Sequence, residues 1–356
     1  MQKKKAAILG ATGVAGQQFL EALFGHPWFE ISGLYASGRS AGKTYGEAAS
    51  WHSPTPLPKE IASMTVKNTE DAAGELEPYD IVFSALPSDV AKETEGRCAE
   101  KKPVISTASA YRYEEDVPIL VPEVNAGHAP LIEKQRKHRG WKGFVVPGPN
   151  CTTMGLIISL KPLYEACGVR RVFMTSMQAL SGAGYPGNPA LDIVDNVIPY
   201  IAKEEGKVTL ETVKTLGKMA GDSIQNANFP VSCTCTRVPT IDGHFLSIFV
   251  ETEKPCSPAD YKKIIADYNV QCRKTFGDLP SAPEETIIVK EEDNRPQPRL
   301  DRELGDGMTT VVGRIRQDEV FGERGLKYCS LSHNTKRGAA KGELMVAEYL
   351  MTKGYI

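Results

Sequence analysis

The chain has 356 residues, of which 41% are hydrophobic and 24% charged, and its formal net charge is -2. That length suggests about two domains and that composition a globular protein, while the near-neutral charge argues against binding nucleic acid or membranes through bulk attraction. No run approaches the ~18 apolar residues of a membrane span, and the apolar run after the basic start MQKKK is too short for a signal peptide. Eight cysteines stand at 98, 151, 167, 233, 235, 256, 272 and 329. Only Cys233 and Cys235 are close, with no C-x-x-C or histidine partner, so no metal site is expected and reduced thiols in the cytoplasm are.

In chain order, KKAAILG predicts a short buried strand and ATGVAGQQFLEALFGH a turn entering a helix, with Val14, Phe19, Leu20, Leu23 and Phe24 at helical spacing. Gly10, Gly13 and Gly16 form G-x-x-G-x-x-G between the two. Glycine there lets the backbone approach a pyrophosphate held on the helix amides, which points to a dinucleotide. The next strand, FEISGLYAS, ends near Ser37 without the acidic residue that holds an NAD ribose. It is followed by SGRSAGK, whose Ser37, Arg39, Ser40 and Lys43 suit a 2′-phosphate, so the expected cofactor is NADP. DIVFSAL, PVIST and GFVVPGPN add further strands. Their alternation with helices predicts a parallel, doubly wound Rossmann-type sheet whose ligand crevice lies at the carboxyl ends of the strands, where Ser84, Pro87, Ser88 and Cys151 fall.

Cys151 opens the stretch TTMGLIISLKPLYEACG, predicted helical. The dipole and free amides of a helix start favour a thiolate, and Asn150 or the amide of Cys151 is a candidate donor to an oxyanion. Among the six histidines, His244 is the candidate base, at the start of the strand-like HFLSIFVE and seven residues after Arg237. Gln178 ends the strand VFMTSMQAL, and a Gly/Pro-rich loop follows in which Ser181 and Gly182 are candidates to line a pocket. Glu204, Glu205 and Lys207 begin a charged helix, which on spacing alone reads more readily as a surface element.

Taken together, GATGVAG, SGRSAGK, PNCTTM, QALSGAG and RVPTIDGH resemble the aspartate-semialdehyde dehydrogenase family, especially its fungal and archaeal branch, over essentially the whole chain. The resemblance implies NADPH-dependent reductive dephosphorylation of L-aspartyl 4-phosphate to L-aspartate 4-semialdehyde, in lysine, methionine, threonine and isoleucine biosynthesis. It implies Cys151 as nucleophile, His244 as acid/base, Gln178 orienting the acyl group, and Arg237 and Glu204 or Glu205 holding the substrate carboxylate and ammonium. Arg112 and Lys207 match the phosphate positions. The expected NADP(H) site comprises Gly10, Thr12, Gly13, Val14, Ala15, Ser37, Arg39, Ser40, Ser84, Ser181, Gly182 and Asn334.

The chemistry of these residue types agrees. A thiolate displaces phosphate from an acyl phosphate, and the resulting thioester stays electrophilic enough to accept hydride. Residues 1–150 are expected to form the nucleotide domain, completed by a C-terminal amphipathic helix over 338–356. Residues 151–337 are expected to form an α+β catalytic and dimerisation domain with a mainly antiparallel sheet, and the protein a homodimer or dimer of dimers. The alternatives are N-acetylglutamyl-phosphate reductase, malonyl-CoA reductase or glyceraldehyde-phosphate dehydrogenase on the same scaffold, and a non-catalytic NADP-binding regulator.

Overall fold

The computed structural model describes residues 2–356. Six strands, β1 (Lys4–Leu9), β2 (Phe29–Ala36), β3 (Val66–Asn68), β4 (Ile81–Ser84), β5 (Pro103–Ser106) and β6 (Phe144–Pro147), form a parallel sheet in the order β3-β2-β1-β4-β5-β6. Their near-continuous apolar runs follow from burial on both faces: Ala6 to Leu9 and Ile81 to Ser84 are all buried. Helix α1 (Val14–Leu23) turns Phe19, Leu20 and Leu23 inward, and Phe83 of β4 packs against both Phe19 and Phe29. Helices α2 (Ser88–Ala99) and α3 (Leu131–Arg139) complete the layers. The strand order reverses between β1 and β4, which opens a crevice at the carboxyl ends of the strands.

From the end of β6 the chain passes through Gly148–Pro149–Asn150 into α4 (Cys151–Cys167), a helix buried along most of its length. Helix α5 (Glu204–Thr215) and helix α6 (Pro258–Phe276) both pack against it. The second sheet comprises β7 (Val169–Gln178), β10 (Val231–Arg237), β11 (His244–Thr252), β12 (Ile287–Lys290), β13 (Thr310–Gln317) and β14 (Gly325–Ser332), with a separate hairpin of β8 (Lys218–Ala220) and β9 (Ser223–Gln225). Its order is β10-β7-β11-β14-β13-β12. The centre is antiparallel, but each edge pair, β10 with β7 and β12 with β13, is parallel, so the sheet is mixed. Along β7 the residues alternate, with Val172, Met174 and Ser176 turned inward and Arg171 and Phe173 outward.

The C-terminal helix α7 (Lys341–Thr352) departs from the amphipathic expectation. Every residue from Gly342 to Leu350 is buried, because the helix is packed between α1 and β5. Its charged positions are accommodated inside: Glu348 accepts from Ser281 and lies 2.9 Å from His26 Nε2. No helix among the described residues is long and apolar enough to cross a membrane.

Candidate active site

The carboxyl ends of the first sheet and the amino end of α4 together floor a cleft of about 300 Å³. Val14, Ala15, Ser88, Thr107, Arg112, Asn150, Cys151, Ser181, Gly182, Lys207 and Asn334 line it. Local sequence explains how α4 begins where it does. Asn150 is its N-cap, the side-chain Oδ1 accepting from the amides of Thr152 (2.8 Å) and Thr153 (3.3 Å). Cys151 therefore occupies the first helical position, with an amide that no intrahelical acceptor can reach.

His244 begins β11, the strand between β7 and β14, and 93 residues along the chain from Cys151 its Nε2 comes to 3.2 Å from Sγ. The ring is buried, and its Nδ1 accepts the main-chain N–H of Ala179 at 3.1 Å. Burial, with Arg237 and then His333 nearby, pushes the imidazole down to about 3. Burial, followed by the Glu204 charge, pushes the Cys151 thiol up to about 12, and the cations Arg112 and Arg237 oppose it less strongly. Burial thus opposes the thiolate that a helix start favours.

A ring of charge surrounds the sulfur. Glu204 on α5 is buried and accepts from Asn150 Nδ2 (3.0 Å) and Thr152 Oγ1 (3.2 Å), with Lys207 Nζ 3.8 Å away. Glu205 points the other way, exposed, and accepts the Cys235 amide, so of the two glutamates Glu204 is the one beside the cleft. Arg112 is buried between Glu211 and the Thr107 carbonyl, which accepts from Nη2 at 2.8 Å. Arg237 is buried next to His244, donating from Nη1 to the Ala179 carbonyl at 2.6 Å. Gln178 is buried and donates to Ser176 Oγ at 3.1 Å. Asn334 accepts the Gly243 amide and donates to Ser181 Oγ, each at 2.8 Å, which ties β11, the Ser181 turn and the segment after β14 together.

These contacts bear on two of the expected site residues. The Asn150 side chain caps α4 through Oδ1 and gives one Nδ2 hydrogen to Glu204, so its second Nδ2 hydrogen and the Cys151 amide both stay candidate donors to an oxyanion. Ser84 is completely buried at the end of β4, and Ser88 and Thr107 line the cleft in its stead. Sequence reasoning passed over Glu211 and Gly338. Glu211 follows Glu204 and Lys207 at positions i, i+3 and i+7, one face of α5, so helical periodicity was the available signal. Gly338 lies against Cys151, where a Cβ built on it would come 2.8 Å from Cys151 Cβ, and nothing in its local sequence marks that contact.

The glycine turn is shaped for a dinucleotide. Gly10 has φ +73°, and a Cβ there would meet the Ala85 carbonyl at 2.7 Å. Gly13 is the N-cap of α1, exposed, with no side chain capping the first amides and no acidic residue in the first turn. An anionic pyrophosphate fits such a helix start, and Thr12, Val14 and Ala15 flank it. Ser37, Arg39 and Ser40 form the turn after β2, beside this loop and outside the cleft around Cys151, with Arg39 exposed. Among the described residues no His, Cys, Asp and Glu cluster is arranged to hold a metal.

Residues 5–131 match the semialdehyde dehydrogenase NAD binding domain and residues 160–337 the semialdehyde dehydrogenase dimerisation domain. The chain belongs to the semialdehyde dehydrogenase family. Among family members, the aspartate-semialdehyde dehydrogenase of Archaeoglobus fulgidus is 49% identical over 355 residues, 98% of each chain. The malonyl CoA reductase (NADP) of Metallosphaera sedula is 39% identical, over 99% of this chain and 98% of its own. The crystal structure of aspartate semialdehyde dehydrogenase with NADP from Candida albicans superposes with a TM-score of 0.90 at 41% identity, covering 99% of this chain and 100% of that one. The semialdehyde dehydrogenase fold thus extends over both sheets of this chain.

Proposed function

We propose that this semialdehyde dehydrogenase reduces L-aspartyl 4-phosphate to L-aspartate 4-semialdehyde with NADPH and releases phosphate. The observation that carries the reading is the 3.2 Å approach of His244 Nε2 to Cys151 Sγ at the start of α4, in a cleft that also holds Arg112 and Lys207. Cys151 attacks the acyl carbon, phosphate leaves, and the acyl group is retained as a thioester. The Cys151 amide faces the carbonyl oxygen. Arg112 and Lys207 hold the phosphate, Arg237 the substrate carboxylate, Glu204 its ammonium, and Gln178 orients the acyl group. The glycine turn takes the pyrophosphate, Arg39 with Ser37 and Ser40 the 2′-phosphate, and Asn334 with Ser181 and Gly182 the nicotinamide end. When bound, the reduced nicotinamide supplies the hydride that converts the thioester to the aldehyde.

The test is turnover of aspartate semialdehyde, phosphate and NADP in the reverse direction by the purified protein, and its absence would reject the proposal. The Metallosphaera relative makes malonyl-CoA the second substrate to assay. That substrate has no ammonium, so a buried Glu204 carboxylate beside the nucleophile favours the amino acid. Cys151→Ala should abolish turnover while NADPH still binds, which separates an enzyme from a cofactor-binding regulator.

We divide the chain into a nucleotide domain of residues 1–150 with 338–356 and a catalytic domain of 151–337. We also infer a homodimer formed through the outer face of the second sheet. There Phe173 and Phe249, cross-strand partners, are both exposed, within the span that matches the dimerisation domain. All eight cysteines are free, which suits the reducing cytoplasm.

A further inference from the structure

We propose that Cys233 and Cys235 on β10 form a thiol–disulfide site, a dithiol that a small-molecule disulfide oxidises to an intrastrand disulfide, displacing the two residues read above as holding the substrate carboxylate and ammonium. In that consequence it rests on the functional reading above.

Strand register places the pair. β10 is an edge strand, joined in parallel to β7 with Cys233 opposite Met174 and Cys235 opposite Ser176. Residues two apart on a strand share a face, and Met174 and Ser176 mark this one as the inner face. The exposed Phe173 and Phe249, through which the dimer is inferred, lie on the other. Helix α5 covers the inner face at this edge. Cys233 is half-buried there, its Sγ donating to the Glu205 carbonyl at 3.5 Å and lying 3.9 Å from Thr209 Oγ1. Cys235, one inward position further along, is fully buried. Each side chain sets the acidity of the other. The Cys235 thiol draws Cys233 below the ordinary thiol value, and Cys233 in turn pushes Cys235 up. Burial instead raises Cys98, Cys151, Cys272 and Cys329. Cys233 is therefore the accessible, attacking thiol and Cys235 the one that resolves.

With oxidised glutathione as the disulfide, the exchange balances. Cys233 Sγ attacks one glutathione sulfur, the glutathione S–S bond breaks, and one glutathione leaves as a thiol. Cys235 Sγ then attacks Cys233 Sγ and expels the second glutathione. The two cysteines give up two electrons and two protons, and both appear in the two reduced glutathiones.

The strand cannot accept this bond unchanged. At about 3.3 Å per residue, Cα atoms two apart on a strand are about 6.6 Å from each other. A disulfide spans about 4.4–6.8 Å and favours the middle of that range, so closure draws β10 in between 233 and 235. An edge strand can yield in this way, having a sheet ladder on one side only. Two ties carry the movement into the cleft. The Cys235 amide donates to Glu205 Oε1 at 3.1 Å, and Glu205 adjoins Glu204 at the start of α5. Arg237 lies two residues beyond Cys235 on β10, its main chain bridged to Ile198 and its side chain to the Ala179 carbonyl. The glycine turn and α1 stand on the other sheet and take no part.

The sequence supplies a direct test, because trypsin releases both thiols in one peptide, residues 219–237. The full-length protein is treated with oxidised glutathione, alkylated with iodoacetamide, digested and weighed without reduction. The expected peptide carries no alkyl group and is lighter than the dithiol form by two hydrogens, and dithiothreitol restores two alkylatable thiols. A peptide that stays doubly alkylated, or that carries only a glutathione adduct, would overturn the proposal. In the reverse reaction, KM for aspartate semialdehyde should rise about tenfold on oxidation while the affinity for NADP is constant. Cys233→Ser under the same treatment separates this effect from oxidation of Cys151: its kcat should fall as far as that of the unsubstituted protein, with KM unchanged. An equal rise in KM in that variant, or no rise in either protein, would also overturn the proposal. Absence of turnover by the reduced protein would remove the functional reading and leave the peptide mass to judge the disulfide.

Discussion

Glu211 and Arg112 form a buried ion pair, Oε1 to Nη1 at 3.1 Å, while the second carboxylate oxygen accepts the Asn150 main-chain N–H at 2.5 Å. One side chain of α5 therefore fixes both a cation of the cleft and the turn that presents the nucleophile. Glu211→Gln leaves Arg112 buried without its counter-charge, which should cost about 3 kcal/mol of stability in denaturant unfolding. In the reverse reaction KM for phosphate should rise about tenfold while KM for NADP stays constant. Parallel increases in both constants would show that Glu211 only supports the fold.

Gly338 is the second point of leverage. An alanine there meets Cys151 Cβ at 2.8 Å, a distance real Cβ contacts do not show, so the sulfur must shift relative to His244. A displacement of that order is expected to lower kcat about a hundredfold. NADPH binding, measured by fluorescence titration, should change far less, because the glycine turn after β1 is untouched. A kcat within about twofold of the original would contradict the close packing.

Cofactor choice is tested at Arg39. The residue is exposed beyond β2, beside the glycine turn, and no acidic residue stands in the Ser37–Lys43 turn to repel a 2′-phosphate. Arg39→Ala should weaken NADPH by about 2 kcal/mol, roughly thirtyfold, and leave NADH nearly unchanged. Equal losses for the two cofactors would remove Arg39 from the 2′-phosphate site.

The thiol of Cys151 gives a pH prediction with a definite sign. Burial raises its pKa to about 12, so the thiolate fraction is small at neutral pH and grows about tenfold per pH unit below that value. Alkylation of Cys151 by iodoacetamide, followed by mass spectrometry of its peptide, should rise log-linearly from pH 7 to 10 with no plateau. A plateau beginning near pH 7 would indicate a thiolate held by an imidazolium, contrary to the effect of burial.

Local order explains why much of the fold was readable in advance. The strand from Lys4, the glycine turn and α1 are contiguous, and their apolar spacing and the demand for φ > 0 at Gly10 are written in neighbouring residues. The same holds for the turn into α4, whose cap is the residue beside the cysteine. The C-terminal helix reads as amphipathic because its charged positions imitate a solvated face. Glu348 in fact lies 2.9 Å from His26 Nε2 and accepts from Ser281, which lie far from it in sequence. The register of the two glutamates at 204 and 205 was equally open until α5 was seen to turn Glu204 toward Asn150 and Glu205 toward Cys235.

The sequence by itself determined a nucleotide-binding parallel sheet, a cysteine at a helix start and a histidine at a strand start, because each is specified by residues adjacent along the chain. Tertiary structure alone decided that Cys151 and His244 meet, which nitrogen of the imidazole faces the sulfur, that Gly338 lines the same cleft and that Glu211 braces Arg112 and Asn150 beside it. Those relationships are set by the packing of α4 and α5 against the second sheet and by the return of the chain after β14, and such contacts across long separations leave no periodic trace in the sequence.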